Sequence, residues 1–212
     1  MRHILVYGDS LTWGIIPDTR NRLPFEQRWP GVMEIALNRG GHNYRVIEDC
    51  LNGRRTVWDD PFKAGRNGSA GLEQCIEKHS PLALAIIMLG TNDFQSTHQN
   101  DVALSAQGIA ALITLVRQAP IEPGMPVPPI LVVAPPPMGT PAGAIAAKFR
   151  GGPQRSAGLA DAYAGVCQSM GCHFFDAGSV TPASRVDGIH LDAGQHVTLG
   201  AALAEYVKGI AG

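Results

Sequence analysis

With 212 residues, 17 Lys+Arg against 18 Asp+Glu and a formal net charge of -1 at pH 7, the chain has the length of a single domain, 1–212, and no surplus of either charge. Five like charges never fall in a row, which excludes the electrostatic footprint of a nucleic-acid or anionic-membrane binder, and no apolar run reaches the ~18 residues of a membrane span. Because Met1-Arg2-His3-Ile4-Leu5-Val6 enters a strand at once, with no space for a charged and then an apolar leader, a cytoplasmic protein acting on small, roughly neutral molecules is expected.

Residues 3 to 7 read as a short apolar strand, broken by Gly8 and followed directly by Asp9-Ser10. The pattern then predicts a helix over 30–39, stopped by Gly40-Gly41, and a second strand over 44–48 whose exit loop runs from Leu51 to Thr56. From Asp59 to Gly71 the composition turns to Asp, Pro, Gly, Asn and Ser, the signature of an ordered loop or lid. Residues 82–89 are apolar on both alternating faces, as a central parallel strand covered on each side must be, and they end at Gly90-Thr91-Asn92-Asp93. A helix over about 101–118 follows, then a rigid Pro120–Pro129 connection and a strand over 130–134. Pro135-Pro136-Pro137 open an excursion that reaches Pro153, too long for a connector, so binding or assembly is expected of it. A helix near 154–170, a strand over 173–176 and a closing helix marked by Leu199, Leu203, Val207 and Ile210 complete the chain. His196 falls on the apolar stripe of that helix and reads as a core histidine. Five strands alternating with helices predict an α/β three-layer sandwich around a parallel sheet of flavodoxin-like order 2-1-3-4-5.

In such a sheet, polar residues at the C-terminal strand ends gather along one edge. Ser10 follows the first strand, Gly53 the second, Asn92 the third, and Asp187 with His190 the fifth. A serine hydroxyl is inert at neutral pH unless a base takes its proton. His190 is the candidate base, and Asp187, three residues earlier in Val186-Asp187-Gly188-Ile189-His190, can hold its tautomer and stabilise the imidazolium. The amides of Ser10 and Gly53 and the side chain of Asn92 are candidate oxyanion donors, Asn92 because its donor brings no charge to bury. Each motif alone is more economically read as a turn or a helix cap, and a glycine loop cradling a phosphate in a non-catalytic binding module is an alternative that leaves His190 without a role. Their occurrence together, in order and each after its own strand, favours acyl transfer. Asp9 is expected to pin the serine loop through backbone hydrogen bonds. Cys50, Cys75, Cys167 and Cys172 fit buried thiols; neither a disulfide framework nor a zinc set is expected, and no metal or other cofactor is implied.

Gly8-Asp9-Ser10-Leu11, Gly53, Gly90-Thr91-Asn92-Asp93 and Asp187-x-x-His190 resemble, in order, the four blocks of the SGNH, or GDSL, hydrolase family. The resemblance spans nearly the whole chain. It is nearest to a bacterial aryl esterase and acyltransferase branch, through Asp9-Ser10-Leu11-Thr12-Trp13-Gly14, Asp59-Asp60-Pro61, residues 86–93 and Phe174-Phe175-Asp176-Ala177-Gly178-Ser179-Val180. It implies Ser10 as nucleophile, Asp187 and His190 as its partners, Ser10, Gly53 and Asn92 as oxyanion donors, and no cofactor. It also implies a homo-oligomer, octamers among them, and acyl transfer to alcohols or peroxide beside hydrolysis of short-chain or aryl esters. A carbohydrate acetylesterase or thioesterase would use the same machinery. Leu11, Trp13, Ile15, Ile145, Phe149, Phe174 and Ile189 are the expected pocket residues, with Trp58 a further candidate. Ile15, where the branch carries a second tryptophan, would leave the pocket wider, and Lys148 lies in a segment that is more apolar in the branch.

Overall fold

Ile4 and Val6 lie on one side of the first strand and Leu5 and Tyr7 on the other, and all four are buried. A strand with two apolar faces must be covered twice. In the computed structural model, which describes residues 1–210, this is how the chain is built. Strand β1 (Arg2–Gly8) lies between β2 (Tyr44–Cys50) and β3 (Leu84–Met88), with β4 (Ile130–Ala134) and β5 (His173–Asp176) beyond. All four pairings are parallel and the order is 2-1-3-4-5, as expected from the alternation. Helices α3 (Leu72–His79), α4 (Val102–Gln118) and α6 (Leu159–Met170) cover the Leu5/Tyr7 face, while α2 (Trp29–Arg39) and α7 (Ala193–Ile210) cover the Ile4/Val6 face.

Register decides where the chemistry sits. Gly8 pairs with both Cys50 and Met88, so the chain leaves β1, β2 and β3 at one level of the sheet edge. Sequential strands lie on opposite sides of β1, which makes the β1/β3 junction the switch point where such sheets bind ligands.

Two expectations need correction. The helix predicted near 154–170 is two pieces, α5 (Gly152–Arg155) and α6, separated at Gly158, whose φ of 85° interrupts the helical backbone. Helix α3 was not expected at all. It is only eight residues long and its buried apolar residues are Leu72, Cys75 and Ile76, too short a run to separate a helix from the polar loop before it. Of the four thiols, Cys75 and Cys167 are buried but Cys50 and Cys172 only half so. Among the described residues no helix is long and apolar enough to cross a membrane.

His196 is fully buried on α7, where its Nδ1 accepts from the Trp29 amide at 3.2 Å. Burial, followed by the Arg28 charge, depresses its pKa to about 3. The unfolded chain therefore binds a proton that the folded one does not between pH 6.5 and 3, and stability falls as pH falls through that window. About 2 kcal/mol is expected to be lost between pH 7 and pH 5 from this residue. Thermal melts of His196→Asn, which keeps an acceptor near the Nδ1 position, should start lower at pH 7 and show a shallower acid decline than the unsubstituted protein.

Candidate active site

Asp9 ends the extended backbone of β1 and caps the single-turn helix α1 (Ser10–Trp13), its Oδ1 accepting from the Leu11 amide at 2.9 Å. The cap fixes Ser10 as the first residue of the turn, so its amide has no partner within the helix. The expected backbone role of Asp9 is met, and its second oxygen does more: Oδ2 accepts from Asn92 Nδ2 at 2.8 Å. Burial raises the Asp9 carboxyl to about 6, opposed first by the Leu11 amide.

The loop before α7 brings Asp187 and His190 to the serine. His190 Nε2 lies 3.1 Å from Ser10 Oγ, and its Nδ1 lies 2.6 Å from Asp187 Oδ2. Asp187 Oδ1 accepts from the amides of Ile189 and His190, both at 2.9 Å. Burial pushes this carboxyl up, but the hydrogen bond from the His190 ring and those from the two amides outweigh it and hold the pKa at about 2. An ionised carboxylate can only accept. Nδ1 must therefore carry a hydrogen, so that in the neutral ring the lone pair is on Nε2 and faces the hydroxyl.

The 135–153 excursion supports this loop directly. The Gly139 amide donates to Gly188 O at 2.8 Å and the Ala142 amide to Asp187 O at 3.0 Å. Gly188 sits at φ 76°, and a Cβ there would stand 2.2 Å from Thr140 O. Only glycine allows both the left-handed turn and the close approach of the excursion's backbone beside it.

Asn92 belongs to a 3-10 turn (Thr91–Phe94) after β3 and is buried. Gly53, at φ 87°, follows β2. Among the described residues the amides of Ser10 and Gly53 donate to no protein acceptor, and one Asn92 N–H remains beyond the bond to Asp9. Three uncharged donors thus have hydrogens to offer at the serine's edge of the sheet.

A cavity of about 300 Å³ opens on His190 and Asp187 and is lined by Ile15, Asp18, Thr19, Arg20, Ala144, Ile145 and Lys148. Of the seven expected pocket residues it holds Ile15 and Ile145. Leu11 instead packs in the core beneath α2 and α7, and Phe174 packs against the opposite core. Ile189 and Phe149 are buried outside the cavity lining, and Trp13 stacks under Arg22 at 4.8 Å. Trp58 does not line the cavity. The polar lip of Asp18, Thr19 and Arg20 was not anticipated, because only the turn after Ile16 brings these residues over the site. That turn is held by the Ile16 amide on Asn21 O at 3.0 Å and an Ile15–Arg22 bridge. Sequence reasoning also passed over Gln95 and Arg55, which contact Asn92.

A GDSL-like lipase/acylhydrolase family model matches residues 6–197. Among solved structures, an inhibitor-bound aryl esterase of M. smegmatis is 38% identical, with 99% of this chain and 100% of that chain covered at a TM-score of 0.93. A carbohydrate acetylesterase from Sinorhizobium meliloti is 39% identical, with 99% of each chain covered at a TM-score of 0.92. An arylesterase of Vibrio mimicus is 34% identical over 90 residues, 42% of this chain and 37% of its own length; the match thus spans little more than a third of that relative.

Proposed function

Because the chain belongs to the GDSL-like lipase/acylhydrolase family, we propose that it is a serine esterase that hydrolyses short-chain or aryl carboxylic esters through an acyl-enzyme on Ser10. The observation that carries this reading is the hydrogen-bond chain from Ser10 Oγ through His190 to Asp187, at 3.1 and 2.6 Å. Ser10 Oγ attacks the ester carbonyl carbon while its proton passes to His190 Nε2. The carbonyl oxygen becomes an oxyanion, met by the Ser10 and Gly53 amides and by Asn92. As the tetrahedral intermediate collapses, the C–O bond to the alcohol breaks and the leaving oxygen takes the proton from Nε2. Water, or a second alcohol, then gives a proton to His190 Nε2 and attacks the acyl carbon. As that intermediate collapses, the bond from the acyl carbon to Ser10 Oγ breaks and Oγ takes the proton from Nε2, releasing the acid or a new ester together with the free Ser10 hydroxyl.

The leaving oxygen must lie beside His190, so the cavity at that histidine receives the alcohol half of the ester. Its lining is mixed, Ile15 and Ile145 against Asp18, Thr19, Arg20 and Lys148, which suits an aryl alcohol with a polar substituent. It suits a sugar hydroxyl as well, and the likeness to the acetylesterase of S. meliloti favours carbohydrate acetylesterase as the second reading. Acyl transfer, to an alcohol or peroxide, needs only that the acceptor outcompete water in the same cavity. Self-association belongs to this reading too, as the resemblance to the aryl esterase branch implies.

Rates on p-nitrophenyl acetate, acetylated sugars and acyl-CoA, each with and without added alcohol, test the proposal. Aryl acetate turnover with stoichiometric labelling of Ser10 by an active-site phosphonate is expected. Absence of both would overturn the esterase reading in favour of a binding module, a faster rate on acetylated sugars would select the second reading, and ester product formed in the presence of alcohol would establish transfer.

A further inference from the structure

Asn92 can act as an oxyanion donor only if its amide is turned the right way, and the two ends of an amide are nearly the same shape. Packing alone hardly distinguishes them; hydrogen-bond polarity does. Gln95 Nε2 donates to Asn92 Oδ1 at 2.6 Å, and Gln95 Oε1 accepts from Arg55 Nη2 at 2.7 Å. Gln95 and Arg55 are 1% and 0% exposed, so no solvent is at hand to replace either bond.

The direction of this chain is fixed from its ends. A guanidinium can only donate, so Gln95 must turn its oxygen toward Arg55 and its NH2 toward Asn92. Asn92 must then accept through Oδ1, which turns its own NH2 toward Asp9. One N–H is taken by the Asp9 carboxylate at 2.8 Å, and the other is left free. In the reversed orientation, Oδ1 would face a carboxylate and the NH2 would face the NH2 of Gln95. The same guanidinium also holds the Asn92 backbone, with Nε on Asn92 O at 3.1 Å. Its remaining bonds reach Asp59 O at 2.6 Å, Thr97 Oγ1 at 3.1 Å, His98 Nε2 at 2.7 Å and the Asp60 carboxylate at 3.3 Å, so Arg55 is itself immobilised.

We propose that Gln95, polarised by the buried Arg55, is a positioning residue that fixes which end of the Asn92 amide faces the reacting carbonyl. The inference rests on the reading of Asn92 as an oxyanion donor. It gives Gln95 a role in the rate that separates from any role in stability, because the direction of the hydrogen bond matters and not only its presence.

Two variants test it, Gln95→Met and Gln95→Glu, with kcat and KM measured on p-nitrophenyl acetate and Tm measured alongside. Methionine fills the space but neither accepts from Arg55 nor directs Asn92. Glutamate is the better partner for Arg55, yet it presents an acceptor where Asn92 needs a donor. The expected kcat losses are about 5-fold for Met and about 30-fold or more for Glu, with KM within about twofold of the unsubstituted protein, while Tm of the Glu variant is at or above that of the Met variant. A merely structural Gln95 would make kcat follow Tm, and that result overturns the proposal, as does a kcat within twofold of wild type in both variants. If one variant does not fold, the kcat of the other against wild type decides. Asn92→Ala is measured in parallel. Wild-type kcat there overturns the oxyanion assignment and the positioning role together; a loss of about 100-fold there, with the Gln95 variants unaffected, overturns the positioning role alone.

Discussion

Ser10→Ala is expected to lower kcat on p-nitrophenyl acetate by about 10⁶, and His190→Ala by about as much, while the double variant is no worse than either. The reason is that the two side chains perform one step. Without the hydroxyl there is no bond to form, and without the imidazole the Ser10 proton has no acceptor within reach, since His190 Nε2 is the side-chain atom 3.1 Å from Oγ. KM should change little for Ser10→Ala, which leaves the cavity lining whole, and modestly for His190→Ala, which removes one of the residues that bound it. Background hydrolysis by the oxyanion donors and binding alone sets the floor, about 10³ to 10⁴ above water. Additive losses in the double variant would sink the assignment of Ser10 and His190 to a single proton-transfer unit.

Asp187→Asn is the second large effect, a fall in kcat of about 10⁴. The local geometry gives the reason for this residue. Oδ1 of Asp187 is held by the amides of Ile189 and His190, each at 2.9 Å, and an asparagine in its place must keep its only oxygen there. Its NH2 is thereby forced toward His190 Nδ1, which can then only accept. The ring hydrogen moves to Nε2, and the lone pair that should receive the Ser10 proton is gone. Asp187→Ala, which imposes no tautomer, should be no more severe than Asp187→Asn despite removing more of the side chain. If Asn behaves as wild type in a kcat measurement at neutral pH, tautomer control by Asp187 is wrong.

The parts of the molecule legible in the chain share a physical origin. Double-faced apolar runs such as Leu84–Met88 and Ile130–Ala134 can be covered only by helices on both sides, so the three layers and the parallel sheet follow from local pattern. The candidate residues Ser10, Asn92, Asp187 and His190 stood out in the sequence because each stands just past a strand or before a helix, with turn residues around it. Helix α3 was not, for its eight residues carry too few apolar positions to stand out from the polar loop they follow. The cavity was legible only in part. Ile15 and Ile145 line it, but Leu11 and Phe174 went to the two cores, because an apolar residue near a site and one in the core obey the same pattern.

The sequence by itself determined the layer architecture and the residue types on which the proposed acyl transfer draws, since strand alternation and glycine or asparagine at strand ends are local properties. Only the tertiary structure decided how those residues face one another. The register that pairs Gly8 with Cys50 and Met88 sets the serine beside Asn92. The 135–153 excursion, bonded to Gly188 and Asp187, braces the histidine loop, and the buried Arg55–Gln95 pair directs the Asn92 amide. These are hydrogen bonds between segments about 40 to 50 residues apart or neighbours whose direction depends on such a segment; their polarity is satisfied only once the chain has closed around them.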